Sequence, residues 1–147
     1  TTPYFVPSQH FLLMLKRAAR RGVDVRVVMP RKSDHNFADT AAQAHFASVM
    51  KSGIKIYQFN GGMIHSKTAV IDDNWASVGS CNLDNLSLLL NYEANVISTD
   101  REFVAELKDS FVNDTLDSTK VDLEAWLNRS TYQKFWEWLS LPFHGLL

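Results

Sequence analysis

The stretch that decides the fold of this chain is MIHSKTAVIDDNWASVGSCN, Met63–Asn82. Its two apolar runs, Thr68–Ile71 and Trp75–Val78, contain β-branched and small residues and flank a polar turn at Asp73-Asn74. Short apolar runs on either side of a tight polar turn are typical of a β-hairpin. The sequence therefore predicts that this stretch folds as two antiparallel strands.

Chemically reactive side chains precede and follow this predicted hairpin. His65 and Lys67 are two residues apart, and such residues point to the same face of a strand. We therefore expect the imidazole and the ammonium to emerge side by side from one buried strand. Gly79-Ser80-Cys81-Asn82 then offers a glycine that lets the backbone pass close to a ligand, with hydroxyl and amide groups beside it. This combination predicts a site for a phosphate ester.

The spacing of these residues resembles the signature of the phospholipase D superfamily, which is HxKxxxxD, six intervening residues and then GSxN. All the positions of that signature are present, at His65, Lys67, Asp72, Gly79, Ser80 and Asn82. Glu93 is similar to the family's downstream carboxylate, which hydrogen-bonds a catalytic imidazole. A histidine such as His65 is ordinarily a satisfied core residue, but the complete pattern favours the catalytic interpretation.

The resemblance extends over most of the chain. Tyr4-Phe5-Val6-Pro7, Lys32-Ser33-Asp34-His35, Asn82-Leu83-Asp84 and the aromatic C-terminus are similar to bacterial cardiolipin synthases. Those enzymes carry two such motifs in one chain, and this sequence contains one. The resemblance implies a layered α/β fold of the phospholipase D type, with a mixed β-sheet flanked by helices. It also implies that residues 1–147 form a single domain, the C-terminal half of a two-motif enzyme.

The chemistry that the resemblance implies is a phosphatidyl transfer in two steps, without metal or cofactor. One motif histidine forms a phosphohistidine, the other protonates the leaving alcohol, and a second phosphatidylglycerol accepts the phosphatidyl group. His65 is expected to be the acid/base, with the nucleophilic role left open. Lys67 and Asn82 would hold the non-bridging oxygens, and Ser80 would support them. Glu93 would orient an imidazole and stabilise its cationic form.

Two positions of the signature are expected to be structural. Asp72 is five residues beyond Lys67, and this odd offset places it on the opposite face of a strand. Gly79 is the other. None of the five histidines has the spacing to cysteine or carboxylate that metal sites show. Cys81 is the single cysteine, so no internal disulfide is possible, and we expect a wall residue rather than a nucleophile.

Composition and charge narrow the class of partner. The 147 residues are 46% hydrophobic and 21% charged, which suits one globular domain, and no apolar run is long enough to span a membrane. Residues 1–70 carry ten Lys/Arg and three Asp/Glu, whereas residues 71–147 carry five and thirteen. A basic half suits an anionic lipid surface or nucleic acid, or is one of two solvated faces of opposite sign. Nucleic acid is disfavoured because no aromatic platform is interleaved with the basic residues.

The remaining segments alternate strand and helix patterns. Thr1–Val6 is extended, Ser8 caps a helix that ends at Gly22, and Val23–Met29 is a buried strand, which suggests a βαβ unit with a parallel pair. A second helix, capped by Ser33 or Asp34, ends at Gly53. Further predictions are a strand at Ile54–Phe59, an irregular apolar segment at Leu83–Leu90, a strand at Asn91–Ile97, and a helix opened by a capping box at Thr99–Glu102.

The C-terminal segment, residues 123–147, is an aromatic-rich helical tail. Tryptophan and tyrosine favour the membrane interface, so one interpretation is an interfacial amphipathic helix, and the other is a helix packed on the sheet or on a partner. The expected partners are phosphatidylglycerol, a membrane surface, and the other motif half in the same protein or a second subunit. The expected location is the cytoplasmic face of the bacterial inner membrane, either peripheral or anchored by a region outside this chain.

Two other classes of function remain open. A single-motif chain could be a phosphodiesterase or nuclease of the same superfamily that builds its site across a homodimer. Alternatively, the chain is an inactive half-domain that only binds membrane or a partner.

Overall fold

The computed structural model describes residues 1–140, apart from the side chains of Asn85, Glu137, Trp138 and Ser140. The strands are β1 (Phe5–Val6), β2 (Arg26–Pro30), β3 (Lys55–Phe59), β4 (Thr68–Ile71), β5 (Trp75–Gly79), β6 (Leu83–Asp84), β7 (Asn95–Ser98) and β8 (Ser118–Lys120). The helices are α1 (Gln9–Arg20), α2 (Asn36–Met50), α3 (Asn85–Leu89), α4 (Arg101–Leu116), α5 (Leu123–Leu127) and α6 (Thr131–Ser140).

The described strands form three ladders. β2 and β3 are parallel and joined by α2, and β8 adds antiparallel to β3. β4, β5 and β7 form an antiparallel ladder in the order β4-β5-β7, and β1 pairs in parallel with β6. The predicted mixed α/β class is therefore confirmed, and the predicted hairpin is the β4–β5 pair.

The predicted pairing of the first strand with the strand after α1 is wrong. β1 pairs with β6, with Phe5 opposite Leu83. The chain does approach β2 one step earlier, where the amide of Thr2 donates to the carbonyl of Val28 at 3.0 Å. Pro3 follows and has no amide hydrogen, so it cannot extend that ladder. The chain leaves β2 at this point and reaches β6 instead.

Local signals located the helix ends with mixed success. Ser8 caps α1 as predicted, because its hydroxyl accepts the amide of Phe11 at 3.2 Å. The cap position of α2 is His35, and it makes no side-chain capping bond. Neither predicted cap is correct, because Ser33 accepts the amide of His35 at 3.0 Å in a tight turn and Asp34 accepts the hydroxyl of Tyr4.

The cap of α4 is Asp100 rather than Thr99, the first residue of the predicted capping box. Its carboxylate accepts the amide of Phe103 at 2.9 Å. A carboxylate at this position also favours the positive end of the helix dipole. The prediction was therefore displaced by one residue.

The segment predicted as irregular, Leu83–Leu90, contains β6 and α3. Asp84 starts α3 because its carboxylate accepts the amide of Ser87 at 2.7 Å. The strand predicted at Asn91–Ile97 begins only at Asn95, so Glu93 precedes the ladder. This shorter strand matters because it places Glu93 at the edge of the sheet.

The core lies between α1, α2 and the parallel strands. Its largest fully buried side chains include Phe5, Leu12, Phe46 and Ile56. Half-buried Trp126, on α5, packs on Phe46 with ring centroids 4.9 Å apart. The start of the predicted aromatic tail is thus a packing element.

The rest of the tail is different in character. α6 carries four large apolar side chains that are exposed, at Tyr132, Phe135, Trp136 and Leu139. The final part of the predicted tail, residues 141–147 with Phe143, lies outside the described residues. Among residues 1–140, no helix is both long and apolar enough to cross a membrane.

Candidate active site

One edge of the β4–β5–β7 ladder brings the motif residues together. Because these strands are antiparallel, the start of β4, the end of β5 and the start of β7 meet at the same edge. The amide of Gly79 donates to the carbonyl of Lys67 at 3.1 Å, and the amide of Ser80 donates to the carbonyl of Ala94 at 3.0 Å. The two halves of the signature, and the segment that carries Glu93, are therefore adjacent.

The expectation that His65 and Lys67 lie on a buried strand is wrong. β4 begins at Thr68, and Ala69 and Ile71 on it are exposed. His65 lies in an exposed irregular segment, where no other strand pairs with the chain within the described residues. The ammonium of Lys67 donates to the backbone carbonyl of His65 at 2.9 Å, so it braces this segment directly.

The requirement for glycine at position 79 comes from the neighbouring strand. A Cβ atom on Gly79 would lie 2.6 Å from the Cα of Asn95, and would overlap the backbone carbonyl of Ala94. Such distances are not found for real side chains, so any larger residue would push β5 and β7 apart. In the structure, the close approach of β7 explains why this position needs a glycine. The close approach of a ligand to Gly79 stays a prediction.

Ser80 and Glu93 form the most connected pair at this edge. The hydroxyl of Ser80 donates to the carboxylate of Glu93 and accepts the amide of Ala94 at 3.0 Å. The hydrogen bond from Ser80 holds the pKa of Glu93 below its usual value. Within residues 1–140 no imidazole is hydrogen-bonded to this carboxylate, so the predicted imidazole partner of Glu93 is not supplied there.

Lys67 and Asn82 present the groups that suit a phosphate oxygen. Burial lowers the pKa of Lys67, while the carboxylates of Glu93 and Asp84 act in the opposite direction. The side-chain oxygen of Asn82 is buried and has no hydrogen-bond partner in the described part of the chain. This oxygen is a hydrogen-bond acceptor, so a ligand hydroxyl could satisfy it, whereas a phosphate oxygen needs the NH₂ group of the same amide.

The structure adds a wall that the motif did not predict, formed by Tyr4, Asp34 and His35. The ring of Tyr4 lies 6.4 Å from the imidazole of His65 and 5.5 Å from that of His35. Its hydroxyl donates to Asp34 at 2.5 Å. Burial, and then this hydrogen bond, raise the pKa of Tyr4 to about 12, while the same bond lowers the pKa of Asp34.

A signal for this wall was present in the sequence. Tyr4 immediately precedes the first strand, and Asp34 and His35 follow the end of β2 by a few residues. Both segments are among those that resemble cardiolipin synthases. Their contact with His65 depends on long-range pairing, which the local pattern does not specify.

Two other predicted positions lie apart from this edge or play no direct part in it. Asp72 follows β4, at the opposite end of the hairpin from Lys67, and adopts a positive φ of 52° in the turn. Asparagine and aspartate tolerate this conformation better than most residues.

Cys81 lies beside the site, where burial, and then the carboxylates of Glu93 and Asp84, raise the pKa of its thiol. A thiol that stays protonated is a poor nucleophile.

No group of three or more metal-ligating side chains occurs among the described residues. The donors at this edge are an imidazole, an ammonium, a hydroxyl and an amide, joined by one carboxylate. This set suits an anionic oxygen better than a cation.

The overall fold is that of phospholipase D proteins. The structure superposes on Nuc from Salmonella typhimurium, a phospholipase D family member, with a TM-score of 0.67 at 21% identity, covering 82% of this chain and 78% of that one. It also superposes on phosphatidylserine synthase from Haemophilus influenzae with a TM-score of 0.70 at 13% identity, covering 99% of this chain and 38% of that one. At these identities the likeness establishes the fold alone.

The sequence narrows this class further. Residues 1–115 match the family described as cardiolipin synthase, PLD-like domain, and the chain belongs to that family. It is 42% identical to cardiolipin synthase 2 of Staphylococcus epidermidis over 139 residues, which are 95% of this chain and 28% of the relative. It is 39% identical to cardiolipin synthase A of Cronobacter sakazakii over 150 residues, 100% of this chain and 30% of the relative. The chain therefore spans less than a third of the length of these relatives.

Proposed function

We propose that this chain is the second-motif half of a cardiolipin synthase, and that it transfers a phosphatidyl group from one phosphatidylglycerol to another. The observation that carries the proposal is the hydrogen bond between the amide of Gly79 and the carbonyl of Lys67. It joins the two parts of the signature at one edge of the sheet, beside Ser80 and Glu93. Membership of the cardiolipin synthase family supports the choice of a phospholipid as substrate.

In the first proposed step, one imidazole nitrogen attacks the phosphorus of phosphatidylglycerol. A phosphorus–nitrogen bond forms, the bond from phosphorus to the oxygen of the headgroup glycerol breaks, and the second imidazole protonates that oxygen. In the second step the latter imidazole removes the proton from a hydroxyl of another phosphatidylglycerol, whose oxygen displaces the histidine. His65 acts as this acid/base, and the alternative, in which His65 is the nucleophile, uses the same atoms in exchanged roles.

Negative charge on the non-bridging oxygens is stabilised by fixed donors. The Lys67 ammonium supplies a cation, and the NH₂ group of the Asn82 amide supplies a neutral donor, since the amide oxygen can only accept. Such preorganised groups lower the barrier because they need no rearrangement as charge develops. The hydrogen bonds of Ser80 to Glu93 and Ala94 hold the end of β5 against the segment that precedes β7.

The second imidazole requires a second motif, and an exposed apolar surface marks where it would dock. Leu89, Leu90 and Tyr92 directly precede Glu93 in the chain, and all are highly exposed. β7 is an edge strand of its ladder among the described residues, and Val96 and Ile97, on its two faces, are 61% and 62% exposed along that edge. Exposed apolar patches of this kind are typical of interaction surfaces. We infer that the other motif half, in the same protein or in a second subunit, covers this surface and closes the site.

A membrane location follows from the proposed substrate. The exposed aromatic stripe of α6 supports peripheral contact with a lipid surface. We propose the cytoplasmic face of the bacterial inner membrane, with any further anchor outside this chain.

The proposal is tested by whether this chain works alone. Purified chain is assayed for conversion of phosphatidylglycerol to cardiolipin by thin-layer chromatography, while light scattering gives its oligomeric state. We expect no transfer by the monomer, because one of the two imidazoles is missing. Activity restored by adding the first-motif half would support the proposal. An active monomer would contradict it, and an active homodimer would favour the homodimeric alternative.

A further inference from the structure

A concavity lined by several cations lies beside the β2–β3–β8 ladder, apart from the signature residues. It is open to solvent, has a volume of about 430 Å³, and is bordered by α5 and the start of α6. Its polar lining combines three cations with three amides, at Arg31, Lys120, Arg129, Gln43, Gln58 and Gln133. None of these residues belongs to the phospholipase D signature.

The three cations reach this cavity from separate parts of the fold. Arg31 follows β2, Lys120 lies on β8, and Arg129 lies between α5 and α6. Within residues 1–140, neither Arg31 nor Lys120 has a carboxylate within 4 Å. Asp122 also lines the cavity and adds one negative charge, which the three cations outnumber, and its carboxylate accepts the amide of Ala125 at 2.8 Å as the cap of α5. Like charges that line one cavity repel one another, and a bound anion would offset that repulsion.

Arg129 is held in place before any ligand arrives. Its guanidinium lies 4.3 Å from the ring centroid of Trp126 and donates to the carbonyl of Trp126 at 2.5 Å. A planar guanidinium that is already oriented loses little freedom when it binds a phosphate group.

An apolar stripe beside the cavity indicates that the anion belongs to an amphiphile. Gln133, on the first turn of α6, lines the cavity. The neighbouring residues Tyr132, Phe135, Trp136 and Leu139 are spaced three and four apart, so they share one helix face, and all are exposed. Acyl chains could lie along this stripe while the phosphate enters the cavity.

The cavity shares lining residues with a crevice beside Tyr4. A narrow crevice is lined by both Tyr4 and Arg31, and Gln43 and Gln58 line the crevice as well as the cavity. Tyr4 in turn faces His65. The cavity and the His65 side of the site are therefore related through the residues that line this crevice.

We infer that this cavity binds the phosphodiester of a second anionic phospholipid, the acceptor in the transfer. The role of this lipid as acceptor rests on the proposed function, whereas its binding to the cavity is independent of catalysis. The Arg31, Lys120 and Arg129 cations hold the phosphate, and the α6 stripe holds the chains.

The test measures lipid binding to the intact chain by nitrogen–proton correlation spectra. Dihexanoyl phosphatidylglycerol is added below its micelle concentration, and the indole signal of Trp126, assigned with Trp126→Phe, reports on the cavity. The double variant Arg31→Gln/Lys120→Gln should bind at least about tenfold more weakly, because two charge-assisted contacts are lost. The matched control, Arg17→Gln/Arg20→Gln, removes the same charge from the exposed face of α1 and should bind like the parent.

The competing outcomes are distinct. Equal affinity of the double variant and the parent would overturn the inference, as would an equal loss in the control. Inorganic phosphate that binds as tightly as the lipid would overturn the lipid assignment and leave a simple phosphate site. Cardiolipin formation by the complete enzyme is measured separately. If the lipid binds the cavity but the complete enzyme makes no cardiolipin, the proposed function fails and the cavity assignment stands.

Discussion

The ring of Tyr4 meets the imidazole of His65 edge-on, with centroids 6.4 Å apart and planes at 84°. The same tyrosine donates its hydroxyl proton to Asp34. One residue thus links the signature histidine to an acidic side chain that the motif does not include. The His65 side of the site is therefore built by residues from the beginning of the chain.

The first prediction separates the ring of Tyr4 from its hydroxyl. Tyr4→Phe keeps the ring and should leave the His65 imidazole resonances nearly unchanged, whereas Tyr4→Leu should shift them because the ring current is lost. Removal of the hydrogen bond to Asp34 should destabilise the fold by about 0.5–1.5 kcal/mol in both variants. Spectra that change equally in both variants would mean that the ring does not contact His65.

The second prediction concerns the proton carrier. In the complete enzyme, His65→Ala should lower turnover by about 10²–10⁴-fold, the usual range for loss of an acid/base group. Cys81→Ser is the control inside the same motif, and it should retain activity because burial keeps the thiol protonated. An His65→Ala enzyme within tenfold of the parent, with its fold intact, would remove His65 from the site.

The third prediction concerns the charge of Glu93. This carboxylate raises the pKa of Lys67, against the larger lowering that burial causes. In Glu93→Gln the pKa of Lys67 should therefore fall further, and the alkaline limb of the pH–rate profile of the complete enzyme should move to lower pH. Ser80→Ala removes the hydrogen bond but keeps the charge, so its alkaline limb should move less. Identical profiles in the parent and Glu93→Gln would contradict this coupling.

The fourth prediction concerns acid stability and an ion-pair cluster away from the site. Asp24 accepts from Arg26 at 2.6 Å and from Lys55 at 2.7 Å, and these hydrogen bonds lower its pKa to about 2. The folded pKa lies below the ordinary value of 3.8, so the stabilisation is present above pH 4 and is lost as the pH falls towards 2. Because the side chains are about two-fifths exposed, we expect roughly 0.5–1 kcal/mol.

Urea unfolding of the parent and Asp24→Asn at several pH values measures this contribution. The difference between them should be largest near neutral pH and should shrink between pH 4 and pH 2. Glu106→Gln, at an exposed position of α4, is the control and should give little difference at any pH. A difference for Asp24→Asn that does not depend on pH would show that it arises from something other than the ion pairs.

The fifth prediction concerns metal. The donor set at the sheet edge suits an anion, so cardiolipin formation by the complete enzyme should survive EDTA or a stronger chelator. Loss of activity on chelation, restored by a single added metal, would require a different mechanism.

Local signals in the sequence predicted the parts of the fold that local chemistry determines. The hairpin at Thr68–Val78 and the cap at Ser8 are correct because turn residues and hydroxyl caps act within a few residues. The position of His65 was wrong because the end of a strand depends on its partner. β8 was missed because Ser118–Lys120 is polar and too short to show an alternating pattern.

The features that the sequence did not predict depend on pairing between distant segments of the chain. Pro3 ends the contact with β2 and sends the chain to β6, an effect that follows from one missing amide. The contact between Tyr4 and His65 follows from that choice. The signature residues themselves needed no such information, since their spacing is contained in one short stretch.

The two-residue ladder between β1 and β6 also determines when the site forms as the chain folds. Tyr4 immediately precedes Phe5, and Asn82 immediately precedes Leu83, so the pairing of Phe5 with Leu83 positions both Tyr4 and Asn82. Closing so long a loop has a large entropic cost, which two residues cannot meet until the core between them has packed. We therefore expect the pocket to form late in folding, and a nascent chain that ends at Asn82 would contain the whole signature without the Phe5–Leu83 pairing.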